Sequence, residues 1–396
     1  MLARSRWLSH DGGPVNAQHD IAGLTSLELK QLARERLPRG HGIAGRIYKD
    51  ALRFGRFAPE SYGLQPSAAA AWREHFRFEL PRVVRVVSEE TDTGTTAKAV
   101  LALHDGLECE CVLLPMGRGR NTLCVSSQVG CKMGCRFCET ARMGLLRSLS
   151  ASEIISQLLV ARHELGWDVR NIVFMGMGEA LDNLQGLVPA LRVLTDGAGI
   201  GMSQERLTVC TVGRIEGIRQ LQALGMKRLN LSISLNAADD VLRSDLMPVN
   251  RVAKLAELSE VLQAYRPRPN FVLGVNYCLL PDMNLGPQHA QAVAEFCRPI
   301  GRVMVNVIPY NPGTAPLTRA PTEAEIEEFI EQLRSHGLPV RRRITKGRSV
   351  MAACGQLGNV ELRRIRRKPS ADLAGASGAQ AEPRAAAAGV AEPNET

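Results

Sequence analysis

One pattern governs the middle of this chain. Between about residues 122 and 345, a short apolar run is followed, six times over, by a longer segment with helical spacing. The runs fall at 122–127, 171–175, 207–212, 229–235, 271–280 and 303–308. The helical segments fall at 152–165, 184–195, 214–224, 252–265, 288–296 and 322–336. Strands that alternate with helices of this length build a parallel sheet, so the pattern predicts an α/β fold, either a parallel barrel or a doubly wound sheet. Both architectures hold ligands at the C-terminal ends of the strands.

The flanking segments read differently. Residues 1–80 read as helical, with a capping box at Thr25 and Glu28 followed by Leu29, Leu32, Ala33 and Leu37 on one helical face. Pro38-Arg39-Gly40-His41-Gly42 breaks that helix before a second at 43–54, an arrangement open to nucleic-acid backbone contact or to a plain helical hairpin. Residues 81–121 change period and predict a short β extension of three strands, with Asp105-Gly106 as the hairpin turn. The core is expected over 122–362. Residues 363–396, rich in Ala, Pro, Gly and Glu without periodicity, read as a disordered tail.

No run of about eighteen uncharged apolar residues occurs, which argues against a membrane span. The N-terminus shows no secretory pattern, so a cytoplasmic protein is expected. With 49 basic and 40 acidic residues the chain carries +9, and its pI of about 9.2 favours polyanionic partners. Much of the excess is local, at Arg341-Arg342-Arg343, Lys346, Arg348 and the run from Arg363 to Lys368. Ten cysteines in such a chain point to metal binding or catalysis rather than a disulfide framework. Cys210, Cys278 and Cys297 sit in apolar or helical settings and read as core residues.

Cys131-Lys-Met-Gly-Cys135-Arg-Phe-Cys138 directly follows the first barrel strand. Three thiolates on one short loop can wrap a corner of a [4Fe–4S] cubane, which normally takes four. The missing fourth leaves one iron open to a substrate. Zinc is the competing reading, but a structural zinc site wants four ligands, and the nearest further cysteine, Cys124, lies upstream on the strand. Gly176-Met177-Gly178-Glu179 ends the second strand, where bare backbone can approach a cofactor and Glu179 can meet an ammonium. Ser234-Leu235-Asn236 and Asn311 add polar groups to the same rim.

The Cys-x3-Cys-x2-Cys spacing, with an aromatic before the last cysteine, resembles the radical SAM superfamily. The resemblance implies a partial (β/α)6 barrel whose open iron chelates S-adenosylmethionine and whose electron cleaves it to a 5′-deoxyadenosyl radical. The strings around Cys124 (Thr122 to Cys131) and Cys354 (Ala352 to Leu357), with Gly176–Glu179 and Met247-Pro-Val-Asn-Arg251, are similar to the RlmN/Cfr family of RNA adenine methyltransferases over roughly residues 95–362. The resemblance implies that Cys131, Cys135 and Cys138 hold the cluster. Cys354 would carry a methyl group as S-methylcysteine, and Cys124 would resolve the protein–RNA adduct, leaving a transient disulfide with Cys354. Glu110 would accept the proton. Gly178, Glu179, Cys210, Ser234, Leu235, Asn236 and Asn311 match cofactor-binding positions. The implied substrate is an adenine carbon, C2 in preference to C8, in 23S ribosomal or transfer RNA. An electron donor such as flavodoxin or ferredoxin and a monomeric state are expected. The chemistry explains the covalent route: those carbons are electron-poor and not nucleophilic, so ordinary methyl transfer fails, whereas a carbon radical can add.

Three positions depart from the usual family pattern: Asn236 replaces a His, Cys210 a Ser, and Ala180 a Pro. Asn keeps hydrogen-bonding capacity, but the departures mark a divergent member. Two rival readings stay open on the residues alone. Another radical SAM enzyme, a maturase or small-molecule modifier, would need the cluster and Glu179 but not Cys124 or Cys354. A zinc- or cluster-stabilised RNA-binding module would not cleave S-adenosylmethionine.

Overall fold

Thr25 and Glu28 form both halves of the expected capping box, opening helix α1 (Ser26–Arg36). The computed structural model describes residues 18–117, 119–359 and 361; the expected tail at 363–396, with the basic run from Arg363, lies outside the described residues. Ahead of α1 stands the short strand β1 (His19–Asp20). After it, Gly40 in the left-handed region turns the chain towards α2 (Ala44–Phe54). Helix α3 (Pro66–His75), with proline at its start, leads to β2 (Phe76–Arg77), which pairs with β1. These helices bury Leu29, Ala33, Ile47, Tyr48 and Trp72 between them. They dock on the rest of the chain where Asp196 accepts from the Ser26 N–H and Arg53 donates to the carbonyls of Gly197 and Gly199.

Next come the antiparallel strands β3 (Arg82–Thr91), β4 (Gly94–Ala102) and β5 (Glu108–Pro115). Asp105 closes the expected turn by accepting from the Leu107 N–H. Strand β6 (Asn121–Cys124) pairs antiparallel with β5 on one side. It is followed by a small hairpin, β7 (Gln128–Gly130) and β8 (Leu145–Ser148), that brackets the one-turn helix α4 (Glu139–Arg142). Helix α5 (Ala151–His163) then opens on its capping box.

The repeated units follow in order: β9 (Asn171–Phe174) with α6 (Leu184–Thr195), β10 (Leu207–Thr211) with α7 (Ile215–Ala223), and β11 (Asn230–Ser234) with α8 (Asp240–Leu246) and α9 (Leu255–Ala264). Then come β12 (Leu273–Leu279) with α10 (Pro287–Cys297), and β13 (Val303–Pro309) with α11 (Glu323–Ser335). A further strand, β14 (Val340–Arg342), ends the series. Strands β6 and β9 to β14 are all parallel, and with β3–β5 they make one sheet of ten strands. The sequence pattern did not reveal α8, β14 or the β7–β8 hairpin, because elements so short carry too few positions to show a period.

The sheet is curled into a partial barrel. Laid flat, β14 and β5 would stand roughly 34 Å apart at ordinary strand spacing. Yet Lys346, four residues after β14 ends, hydrogen-bonds the Pro115 carbonyl at the end of β5. Four residues span at most about 14 Å, so the two ends of the sheet must approach each other. The outer face packs on helices: Leu231, Ile233, Val275, Tyr277, Val305 and Val307 are buried, and Tyr277 stacks on Phe329 of α11.

Gly130 fixes how the first strand hands over to the cysteine loop. Its φ is +76°, and a Cβ there would lie 1.8 Å from the Gly144 carbonyl oxygen, the same oxygen that accepts from the Cys131 N–H at 3.0 Å. A Gly130→Ala variant should therefore lose roughly 3 kcal/mol or more of stability, read in urea unfolding, since backbone strain and overlap with an immovable carbonyl add.

Candidate active site

Strand pairing and a side-chain period of two decide which groups share the inner face. Lys98 stands opposite Val112 and Val112 opposite Cys124, with Glu110 two residues from Val112 on the same face. Cys124 neighbours Val173, and Val173 neighbours Thr208. Cys210, two residues on, neighbours Ser232. Ser234 neighbours Asn276, Asn276 neighbours Asn306, and Asn306 neighbours Arg341. The inner face thus gathers Lys98, Glu110, Cys124, Cys210, Ser232, Ser234, Asn276, Cys278, Asn306 and Arg341, opposite the apolar face that the helices cover. Polar residues on a strand whose other face is fully buried mark a surface built for a ligand.

The cysteine loop lies at the C-terminal end of β6. Cys131 and Cys135 are buried, and Cys138 is half-buried at the start of α4. Gly134 turns the loop against Pro248, and Arg136 N–H donates to the Leu246 carbonyl. Met133, Leu246, Met247, Leu280 and Tyr310 form an apolar surround. That burial pushes the Cys131 thiol up to about 12, and Cys135 is raised by burial and then by Cys138 and Cys131. Three buried thiols whose pKa values burial raises need a cationic centre before they can ionise together, so the donor set suits an iron–sulfur cluster. Among the described residues, no three His, Cys, Asp or Glu side chains are gathered tightly enough for a single ion. A cubane asks for less, since each thiolate meets a different iron. Arg243, which the sequence reading passed over, stands behind Cys135. It is buried, donates to the carbonyls of Leu235 and Val212 and to Asn250, and burial lowers its pKa to about 10.

The Gly-Met-Gly-Glu turn packs directly on the segment that leads into the cysteine loop. A Cβ on Gly176 would meet the Val125 carbonyl carbon at 2.7 Å, and one on Gly178 would meet Gln128 Cβ at 2.5 Å. The glycines are therefore needed for backbone packing, in addition to any approach of a cofactor. Glu179 is buried; its carboxylate accepts from the N–H groups of Leu181 and Val212, and Gln128 accepts from its own N–H. Burial outweighs these bonds and raises its pKa to about 6.

At the end of β11, Leu235 N–H donates to the Asn276 carbonyl. Asn236 has φ of +57°, a conformation Asn tolerates better than most residues. Its side chain accepts from the Cys278 N–H and donates to the Met247 sulfur, so it pins β12 to the cysteine-loop surround. Asn311, just after β13, accepts from Arg348 and donates to the Cys354 carbonyl at 3.4 Å.

Residues 346–358 form a strap that crosses from β14 to the β3–β5 extension and carries Cys354. Ser349 donates to Glu89 of β3, Lys98 of β4 donates to the Met351 carbonyl, and Gly358 N–H donates to Glu110 of β5. On its other side, Glu139 N–H donates to the Gly355 carbonyl and Thr140 to that of Leu357, tying the strap to the residues that follow Cys138. Cys354 is exposed, and its sulfur lies close enough to Cys124, Cys210 and Cys278 that each of those thiols feels its charge. Arg343 opposes this by favouring the thiolates of Cys354 and Cys210. Cys278, read from sequence as a core residue, thus stands on the inner face beside the strap. Glu110 does not lie on a solvated face: it is buried against Lys98 at 3.5 Å, and burial raises its pKa.

Comparison with known proteins agrees with this arrangement. Residues 125–287 match the family model of the radical SAM superfamily. The chain is 43% identical over 278 residues to a probable dual-specificity RNA methyltransferase RlmN 1 of Protochlamydia amoebophila, covering 70% of this chain and 77% of that protein. It is 40% identical to a dual-specificity RNA methyltransferase RlmN of Lawsonia intracellularis, covering 71% and 80%. A crystal structure of a radical SAM methyltransferase from Sphaerobacter thermophilus superimposes with a TM-score of 0.76 at 33% identity, covering 85% of this chain and 98% of that one.

The raised pKa of Glu179 has a measurable consequence in the apoprotein. A carboxyl held above its usual 4.5 contributes stability that is fully present below that value and is lost as pH rises through about 6. Wild-type apoprotein should therefore gain on Glu179→Gln by up to about 2 kcal/mol as pH is lowered from 7.5 to about 4.5. Thermal melts of both proteins across that range check it; parallel curves would show that Glu179 is unperturbed.

Proposed function

Because this chain belongs to the RlmN family of radical SAM RNA methyltransferases, we propose that it methylates an adenine carbon of ribosomal or transfer RNA, C2 rather than C8, through S-methylated Cys354. The observation that carries the reading is the convergence of Cys354, Cys124 and Glu110 on one face of the sheet, reached from three separate segments. A maturase with no covalent intermediate has no use for that convergence.

Cys131, Cys135 and Cys138 would hold a [4Fe–4S] cluster, with S-adenosylmethionine completing the fourth iron. When bound, the pair supplies the radical that activates the Cys354 methyl group. Glu179 and Gly178 stand one strand from the cysteine loop, where a carboxylate can meet the amino group of the methionine moiety. Cys210, Ser234, Leu235, Asn236 and Asn311 stand along the same strand ends. Asn236 and Asn311 act there mainly through backbone, since their side chains are already engaged.

The residues then divide the work. Cys354 is exposed to the substrate side and carries the carbon. Glu110, whose burial strengthens it as a proton acceptor, removes the proton from the alkylated base. Cys124 gives up its thiol proton and attacks the Cys354 sulfur; an S–S bond forms as the S–C bond breaks, and the freed carbon takes up a proton to leave the methylated base. A flavodoxin- or ferredoxin-type donor would supply the electrons in the cytoplasm. Arg341, Arg343 and Arg348, beside the strap, would hold RNA phosphates next to the carrier sulfur. Exposed Lys30 and Arg34 of α1 and Arg46 and Lys49 of α2 would offer further basic contacts for the RNA. No helix among the described residues is long and apolar enough to cross a membrane.

Two measurements test the cysteine roles. Peptide mass spectrometry of the protein made with S-adenosylmethionine present should find one added methyl group on Cys354; an unmodified Cys354 in cluster-loaded protein counts against it. Replacing Cys124 with Ala should leave RNA covalently attached to the protein, visible as a nuclease-sensitive shift on a denaturing gel. Recovery of only free RNA would remove Cys124 from the resolving role.

A further inference from the structure

Beneath the strap lies an ion pair that the roles above leave unexplained. Lys98 and Glu110 sit 3.5 Å apart, and each side chain is only 6% exposed. Lys98 Nζ also donates to the Met351 carbonyl at 2.9 Å, and Glu110 accepts from the Gly358 N–H at 3.1 Å. Met351 precedes Cys354 by three residues and Gly358 follows it by four. The two charged groups therefore grip the carrier loop at both ends. A buried lysine spends its few donors where the fold needs them, because an unpaired ammonium in that setting is costly. Met351 has φ of +52°, unusual for a methionine, so the loop is held in a conformation its own residues do not favour.

We propose that Lys98 is a positioning residue of the transfer step: paired with Glu110, it clasps the Cys354 loop onto the strand that bears the proton acceptor, fixing carrier sulfur and base relative to each other. This rests on the reading of Glu110 as proton acceptor and Cys354 as methyl carrier. The remaining groups that face Glu110 do not supply the same clasp. Arg85 of β3 acts on it at a distance, and Cys109 and Cys111 flank it along β5 with thiols that burial keeps neutral. Of these, Lys98 alone both hydrogen-bonds the loop and contacts the carboxylate. Lys98 also favours the ionised form of Glu110, so its loss should weaken the grip and leave Glu110 protonated to higher pH.

The test uses the cluster-loaded enzyme and two readouts. Hydrogen–deuterium exchange followed by mass spectrometry reports the loop: amides of 347–358 should exchange about tenfold faster in Lys98→Met, while Lys98→Arg keeps them near wild type. The pH profile of methyl transfer to RNA extracted from a strain lacking the protein reports the base: its acid limb should move to higher pH in Lys98→Met and return in Lys98→Arg. A merely structural lysine would not move that limb. Unchanged exchange of 347–358 in Lys98→Met, with cluster absorbance retained, overturns the clasp. If Lys98→Met alone does not fold, Lys98→Met with Glu110→Gln removes both charges together, and the same faster exchange is expected or the clasp is overturned. Glu110→Gln by itself separates the two ideas: wild-type transfer in that variant would remove Glu110 as the base, while loop exchange still decides the clasp.

Discussion

The seam between the strap and the curled sheet is the contact on which the rest of the site depends. A mixed sheet of ten strands has two edges, and here they are brought together by residues 346–358 and by no direct strand pairing between β3 and β14. The strap hydrogen-bonds to β3, β4 and β5 on one side and to the α4 turn on the other. Cys354 is carried on it, so whatever closes the barrel also sets the distance from the Cys354 sulfur to the cysteine loop. Closure and chemistry share one set of bonds.

The start of α4 belongs to the same set of bonds. Glu139 directly follows Cys138, and its buried carboxylate accepts from the Thr314 N–H and hydroxyl and from Arg142. Its own N–H reaches the strap at Gly355. Gly313 has to be glycine because a Cβ there would lie 2.0 Å from Glu139 Oε1. The residue after Cys138 thus joins the cysteine loop, the loop after β13 and the strap.

Electrostatics on the inner face follow a single logic. Burial pushes every thiol and carboxyl there towards its neutral form, and a few fixed cations oppose this locally: Lys98 at Glu110, Arg343 at Cys354 and Cys210, Arg243 near Cys135. Arg243 is the most buried of the three and donates chiefly to carbonyls, so its charge remains available to the cysteine loop. Neutral resting thiols beside fixed positive charge suit a site whose anionic partners arrive from outside.

Much was legible in the residues alone. Alternating strands and helices, capping boxes at Thr25 and Ser150, and the three-cysteine spacing are local signals, set by backbone propensity and by ligands lying a few residues apart. They identified the α/β class, the core strands and the cysteine loop. The long strings around Cys124 and Cys354 pointed to the family only by resemblance. What tertiary structure decided is everything that depends on register. Glu108 and Glu110 share one face of β5, and only the pairing with β4 shows that Glu110, opposite Val100, is the one that comes within 3.5 Å of Lys98. Cys278 read as core until β12 was set beside β11 and β13, a pairing that also brings Asn276 to the inner face. Asn236 read as a hydrogen-bonding replacement at the cofactor, yet its side chain serves β12 and Met247. A period of two says that residues share a face but not which face, and only the helices packed against the other side settle it.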